Sequence, residues 1–240
     1  MQNNTGSLLF EGGFRIFFLG AATYAVLTMA LWSLQMSGSL EILEQTVSMP
    51  LTLWHAHELI FGFIVAVVAG FLTTAVPVWA NTPRIRGTEL KVLFGLWLLG
   101  RVAVNFSAVI PLEIGAIIDV LFIPALVFSI AKPIIRKKLW KNLGFIPLLL
   151  LLMTGNILIH LEVLELSSDT AGPGIDLSIG LLVLMTIVIG GRVTPFFTQN
   201  WLKRHGIQEE IAQPDWITKV VIVASLITVI ANAFSDDVPL

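Results

Sequence analysis

The sequence contains no cysteine. That excludes disulfides, thiolate-ligated metal centres and covalent attachment of a c-type haem, so any metal must be held by histidine, methionine, carboxylate or backbone groups. Charge is scarce as well. Aspartate, glutamate, lysine and arginine make up 12% of the 240 residues, about half of the roughly 25% usual in soluble domains. No stretch suits a water-soluble domain, and there is no fixed-period repeat, nucleotide-binding loop, nucleophile elbow or nucleic-acid-binding module. What is present is apolar: 56% of the residues are hydrophobic and the mean hydropathy is +0.88. Such a chain belongs in a bilayer.

A helix crosses the hydrocarbon with ~20 mostly apolar residues. Seven segments qualify: Phe14–Met36, Leu53–Val78, Val92–Ile110, Ile114–Ala131, Leu143–Leu164, Leu177–Phe197 and Trp216–Phe234. The expected fold is therefore an all-α, polytopic transmembrane helix bundle. Only Pro111, Leu112 and Glu113 separate the third and fourth spans, which reads as a tight helical hairpin. The first apolar run lacks a small-residue cleavage pattern and exceeds the ~7–15 residues of a signal peptide's apolar region, so it is expected to be retained.

Lysine and arginine fall on alternate connections: Arg84, Arg86 and Lys91, then Lys132, Arg136, Lys137, Lys138 and Lys141, then Lys203, Arg204 and Lys219. The opposite connections carry Glu41, Glu44, Glu113, Glu165, Asp169 and Asp176 and no basic residue. Cytoplasmic loops concentrate lysine and arginine. Seven spans with this alternation put the N-terminus in the cytoplasm and the C-terminus outside.

The stretch most suited to chemistry is Trp54-His55-Ala56-His57-Glu58, at the outer end of the second span. At 100° per residue, side chains two apart on a helix point in nearly opposite directions. His55 shares its face with Glu58, Gly62, Ala66, Ala69 and Thr73, a small-residue stripe of the kind that packs helices together in membranes; it is expected to look into the bundle. His57 shares its face with Phe61, Ile64, Val68 and Phe71, either a lipid-facing side or the wall of a cofactor pocket. The two imidazoles are not expected to bind one small ion together, so the motif reads as half of a site. The fifth span brings His160 to the same outer layer, with Met153 and Asn156 on its face. Imidazole and thioether suit copper, and imidazole also serves haem iron; the plainer reading is an interfacial histidine above a packing methionine and a hydrogen-bonding asparagine. His205 belongs to a solvent-exposed loop.

Charges inside spans are rare and usually paired. Arg101 and Asn105 lie on the third span and Asp119 on the fourth, and the depths of Arg101 and Asp119 agree to within a few Å at ~1.5 Å per residue. They are expected to interact, as a structural ion pair or as part of a polar pathway, with Glu58 as an alternative partner of Arg101. Gly190-Gly191 and Pro195 weaken the sixth span near the inner face, where broken backbone is tolerated if buried or lining a cavity. Arg192 there either binds an anionic group or snorkels to the headgroups. The basic run Lys132–Lys141 reads as a topology signal beside anionic lipid.

Four stretches together resemble the NnrS family: Gly13-Phe14-Arg15 with Phe17-Phe18-Leu19; Trp54 to Glu58 with Phe61-Gly62-Phe63; Ala69 to Pro77 with Trp79; and Gly190-Gly191-Arg192 with Pro195, Phe197-Thr198 and Asn200-Trp201-Leu202. The resemblance implies a multi-pass protein of the bacterial inner membrane, associated with the nitric oxide response and denitrification and containing haem and copper. On that basis His55, His57, His160 and Arg192 are candidate cofactor-binding residues, and His55, His57, His160 and Met153 candidate metal ligands. Arg101, Asp119, Glu58 and Asn105 form the candidate intramembrane polar set. Expected partners are membrane lipids, a second copy of the chain, or respiratory and denitrification proteins, and no nucleic acid. The family resembles proteins of about twelve spans, so residues 1–240 are expected to form a single transmembrane domain, the N-terminal part of that longer architecture. The competing reading is a cofactor-free transporter or channel with a polar pathway around Arg101 and Asp119.

Overall fold

The computed structural model describes residues 8–209 without a gap and isolated positions beyond them. The seventh expected span, Trp216–Phe234, falls outside the described residues apart from such isolated positions. Among the described residues every regular element is helical. The chain divides into two compact units, Met1–Ile175 and Asp176–Leu240.

The first unit contains α1 (Gly13–Met36), α2 (Ile42–Thr46) and α3 (Leu51–His57), which runs into a π-helical segment, Glu58–Ile64, and then α4 (Val65–Ala80). It continues with α5 (Thr88–Asn105), α6 (Leu112–Val120), α7 (Phe122–Arg136), a 3-10 turn at Trp140–Asn142 and α8 (Phe145–Val163). The long α9 (Ala171–Arg204) begins in the first unit and carries on into the second.

Prolines punctuate these helices for a physical reason: each lacks an N–H and fixes its own φ. Pro50 and Pro111 sit at the N-caps of α3 and α6, with φ −51° at both. Pro124 has no proton to give the Val120 carbonyl, and the helix is interrupted there, α6 ending at Val120 and α7 resuming at Phe122. Four residues after Pro77, α4 closes on Asn81 in the left-handed conformation (φ 47°), a C-terminal position that asparagine tolerates.

Five helical stretches are long and apolar enough to cross a membrane: Gly13–Met36, Leu51–Ala80, Leu112–Arg136, Phe145–Val163 and Ala171–Arg204. They correspond to the first, second, fourth, fifth and sixth expected spans. The third expected span is present as α5, but its eighteen residues include Glu89, Lys91 and Arg101, which makes it too polar to stand with the five. Large apolar side chains cover the outside of the first unit, among them Val26, Val78, Ile117 and Phe128, as a hydrocarbon solvent requires.

The second span is the hub of this unit. Within its most apolar window 61% is buried, against 22% for Gly13–Met36. Helix α1 lies along α4 and the π-helical segment, α7 packs on both α4 and α8, and α5 pairs with α6 as a hairpin.

Candidate metal centre

Five helices and the π-helical segment each contribute polar side chains to one buried cluster at the start of the second span. His57 ends α3, Glu58 opens the π-helical segment, Arg101 and Asn105 come from α5, Asp119 from α6, Asn156 and His160 from α8, and Tyr24 from α1. His57 and Glu58 are fully buried, and Arg101, Asp119, Asn156 and His160 nearly so. The His57 Nδ1–H donates to Glu58 Oε1 at 2.9 Å. Its Nε2 lies 3.0 Å from Asn156 Oδ1 and 3.2 Å from Asp119 Oδ2. His160 Nε2 lies 3.0 Å from the same Asp119 oxygen, which also accepts from Asn156 Nδ2 at 2.9 Å.

Arg101 joins the two carboxylates. Its Nη1 donates to Glu58 Oε1 at 2.6 Å and its Nη2 pairs with Asp119 Oδ1. The Tyr24 hydroxyl donates to Glu58 Oε2 and accepts from Asn105 Nδ2 at 2.7 Å.

Two glycines allow this convergence. A Cβ at Gly100 would sit 2.8 Å from Asp119 Oδ1 and 3.2 Å from Asp119 Cα, so α5 can approach α6 closely only because nothing projects there, and Arg101 follows directly in the chain. A Cβ at Gly62 would meet the Tyr24 ring at 2.5 Å and Arg101 Nη1 at 3.2 Å. Gly62 lies in the π-helical segment, whose wider turn shifts the phase of the residues that follow; such segments are frequent at functional sites.

Charge decides what the cluster can do. Glu58 and Asp119 bring two negative charges and Arg101 one positive, all removed from water. An uncompensated charge in such a place is costly. One further positive charge, a proton or a bound cation, balances the set. As arranged, both nitrogens of His57 face acceptors, the pattern of an imidazolium. His57, Asp119 and His160 also each offer a ligand atom, all within 4.8 Å of one another. A proton and a metal ion are thus alternative occupants of one position.

On the α2 side a groove of about 370 Å³, lined by Leu43 and Thr46 among others, reaches Tyr24, Arg101 and Asn105 of the cluster. Leu43, Val47 and Met49, from α2 and the turn after it, pack against Trp54 and Val104. Beside His160, between α6 and α8, lies an apolar groove of about 270 Å³ lined by Ala116, Ile117, Val120, Ile157 and Leu161.

The histidine pair requires a correction. The sequence expectation turned His55 inward, with His57 on the opposite face. In the structure His57 is the fully buried one, whereas His55 is half-buried and stacked on Trp32, ring centroids 4.3 Å apart. The opposition of the two imidazoles follows from helical phase; the assignment of inside and outside does not. The second span is enclosed on several sides, so its small-residue stripe (Gly62, Ala66, Ala69, Thr73) and the Phe61–Val68 face are both interior. Met153 is half-buried on α8, seven residues from His160 or roughly 10 Å along the axis, and has no place among these bonds. Arg192 belongs to the second unit, where it is exposed on α9. His205 is exposed and its Nδ1 bonds the Trp201 carbonyl at 2.8 Å. Sequence reasoning passed over Tyr24 altogether, although the chain's sole tyrosine inside an apolar span was a usable signal.

Apolar helices of membrane-crossing length around a buried ionic cluster define a helical integral membrane protein. Residues 8–240 match the family described as NnrS protein, and the chain belongs to that family. No curated protein and no solved structure matches it.

Proposed function

We propose that this protein holds a single metal ion, copper, at His57, His160 and Asp119, and that it serves the nitric oxide response associated with its family. One observation carries the proposal: two imidazoles and a carboxylate, buried and within 4.8 Å of one another, stand in a cluster that lacks one positive charge. Imidazole is a good copper ligand, and the copper associated with the family selects that ion among the transition metals that two imidazoles and a carboxylate would hold. When bound, copper would supply one-electron redox chemistry and an attachment point for a small diatomic ligand.

The chain's own residues have separable tasks. Glu58 accepts from His57 Nδ1 and so presents Nε2 as the free ligand atom, the familiar outer-shell arrangement of metal-binding histidines. Arg101 bonds both carboxylates and holds them in position. Asn156 orients Asp119 and His57 together. The groove beside His160 gives a small uncharged molecule such as nitric oxide a route from the hydrocarbon to the cluster.

Haem ligated by both imidazoles does not fit. Asp119 Oδ2 stands within 3.2 Å of one Nε2 and 3.0 Å of the other, where the porphyrin plane would have to pass. The donors suit an ion rather than a macrocycle.

The surrounding architecture completes the reading: a multi-pass inner-membrane protein of seven spans, N-terminus in the cytoplasm and C-terminus outside. We place residues 1–240 as one transmembrane domain of a twelve-span plan, in contact with lipid and with a second copy or respiratory and denitrification proteins. The cofactor-free pathway around Arg101 and Asp119 has less support. The cavity that Arg101 and Asp119 share is about 10 Å³, room for one water, and the wider groove of about 370 Å³ at Arg101 and Asn105 does not include Asp119 in its lining.

The test is metal analysis of the full chain purified from a copper-replete host. Close to one copper per chain is expected, falling severalfold in both His160→Ala and Asp119→Asn. A metal-free protein, or copper content indifferent to both substitutions, would overturn the proposal.

A further inference from the structure

About twenty residues beyond His57, roughly 30 Å along the second span, lies a second site of opposite character. A crevice of about 250 Å³ opens between the end of α4, the loop that follows it, the start of α5 and the last turns of α7. Arg84 enters from the loop, and Lys132 and Arg136 from α7; Glu89 is the one carboxylate in the lining. Among the described residues none of the three cations pairs with a carboxylate within 4.0 Å, whereas Arg86, two residues from Arg84, is bonded to Glu11 at 3.2 Å. The Thr82 hydroxyl, also in the lining, is a buried oxygen without a hydrogen-bond partner.

A topology signal alone asks only that basic residues lie on the correct side of the membrane. It does not ask two separate segments to direct their cations into one cavity, nor does it leave a buried hydroxyl unsatisfied there. Buried polar groups are nearly always bonded, and an exception calls for an explanation. A group with several acceptor oxygens and a negative charge would satisfy all of these at once. Guanidinium forks match phosphate oxygens in pairs, an ammonium adds a point charge, and a hydroxyl donates one further bond.

We propose that this crevice binds a phosphate group, held by Arg84, Arg136 and Lys132 with the Thr82 hydroxyl as an uncharged donor. The phosphate is supplied by an anionic phospholipid headgroup or by free phosphate. Glu89 weakens the site by facing it with like charge.

The experiment uses the full chain in nanodiscs in two arms. In the first, phosphatidylcholine discs containing increasing phosphatidylglycerol are followed by lipid co-purification and thermal midpoint. In the second, pure phosphatidylcholine discs are titrated with inorganic phosphate. Binding in the first arm alone identifies the headgroup, and binding in the second identifies free phosphate. Affinity in the responding arm is expected to fall about tenfold for each of Arg84→Gln and Arg136→Gln, the scale of one charge-assisted bond, and less for Thr82→Val. Glu89→Gln is expected to tighten binding severalfold, a gain that misfolding cannot produce. Absence of saturable binding in both arms would overturn the proposal, as would affinity unchanged by Arg84→Gln, Arg136→Gln and Glu89→Gln alike.

Discussion

The two ends of the first unit handle charge in contrary ways. At the His57 end, Glu58, Arg101 and Asp119 are enclosed and each is bonded to the others or to a neighbour. At the Arg84 end, Arg84, Lys132 and Arg136 are exposed and have no carboxylate partner within 4.0 Å among the described residues. Burial explains the difference. A charge taken out of water must be paired on the spot, so the charges at the His57 end are bonded to one another; a charge at the surface is solvated already and stays available to a ligand. The same residue types therefore build a framework at one end and a docking crevice at the other.

Substitutions can break this contrast in order of effect. Arg101→Met should act most strongly, because it leaves two carboxylates buried without their cation; loss of one partner from a buried pair costs about 3–5 kcal/mol. Thermal unfolding in detergent should show that loss, or the protein should fail to accumulate in the membrane. Gly62→Ala comes next. The added methyl meets the Tyr24 ring and Arg101 Nη1, and overpacking of this kind costs ~1–3 kcal/mol; the midpoint should fall while expression persists. His55→Ala removes a half-buried ring stacked on Trp32, worth about 0.5–1.5 kcal/mol, and should leave metal content as it was. Smallest of all, Arg84→Gln should change the unfolding midpoint in phosphate-free neutral lipid by no more than the equivalent of ~0.5 kcal/mol, the usual range for surface positions. A large loss there would erase the distinction between the two ends.

Much of this was legible in the sequence, and the rest was not for identifiable reasons. The apolar runs locate the long helices because hydrocarbon leaves a backbone few alternatives to the helix. The hairpin around Pro111 fixes Arg101 and Asp119 at equal depth, since rise per residue is a local quantity. The inward face of the second span was not legible. Helical phase shows that His55 and His57 oppose each other, but deciding which one is interior requires knowing that α1, α7 and their neighbours surround the span. The π-helical turn at Glu58–Ile64 compounds the problem, because phase counted at 100° per residue drifts through it. Tyr24 was overlooked because a tyrosine on an apolar span ordinarily sits at the interface; its hydroxyl becomes part of the cluster only through the approach of Gly62.

In the proposed site the metal is held by His57 and not by His55. The most direct measurement is bound copper per chain in His57→Ala and His55→Ala, purified side by side from the same copper-replete host. Near-complete loss of copper is expected in His57→Ala and wild-type occupancy in His55→Ala. Retained copper in His57→Ala, or its loss only in His55→Ala, would contradict that site.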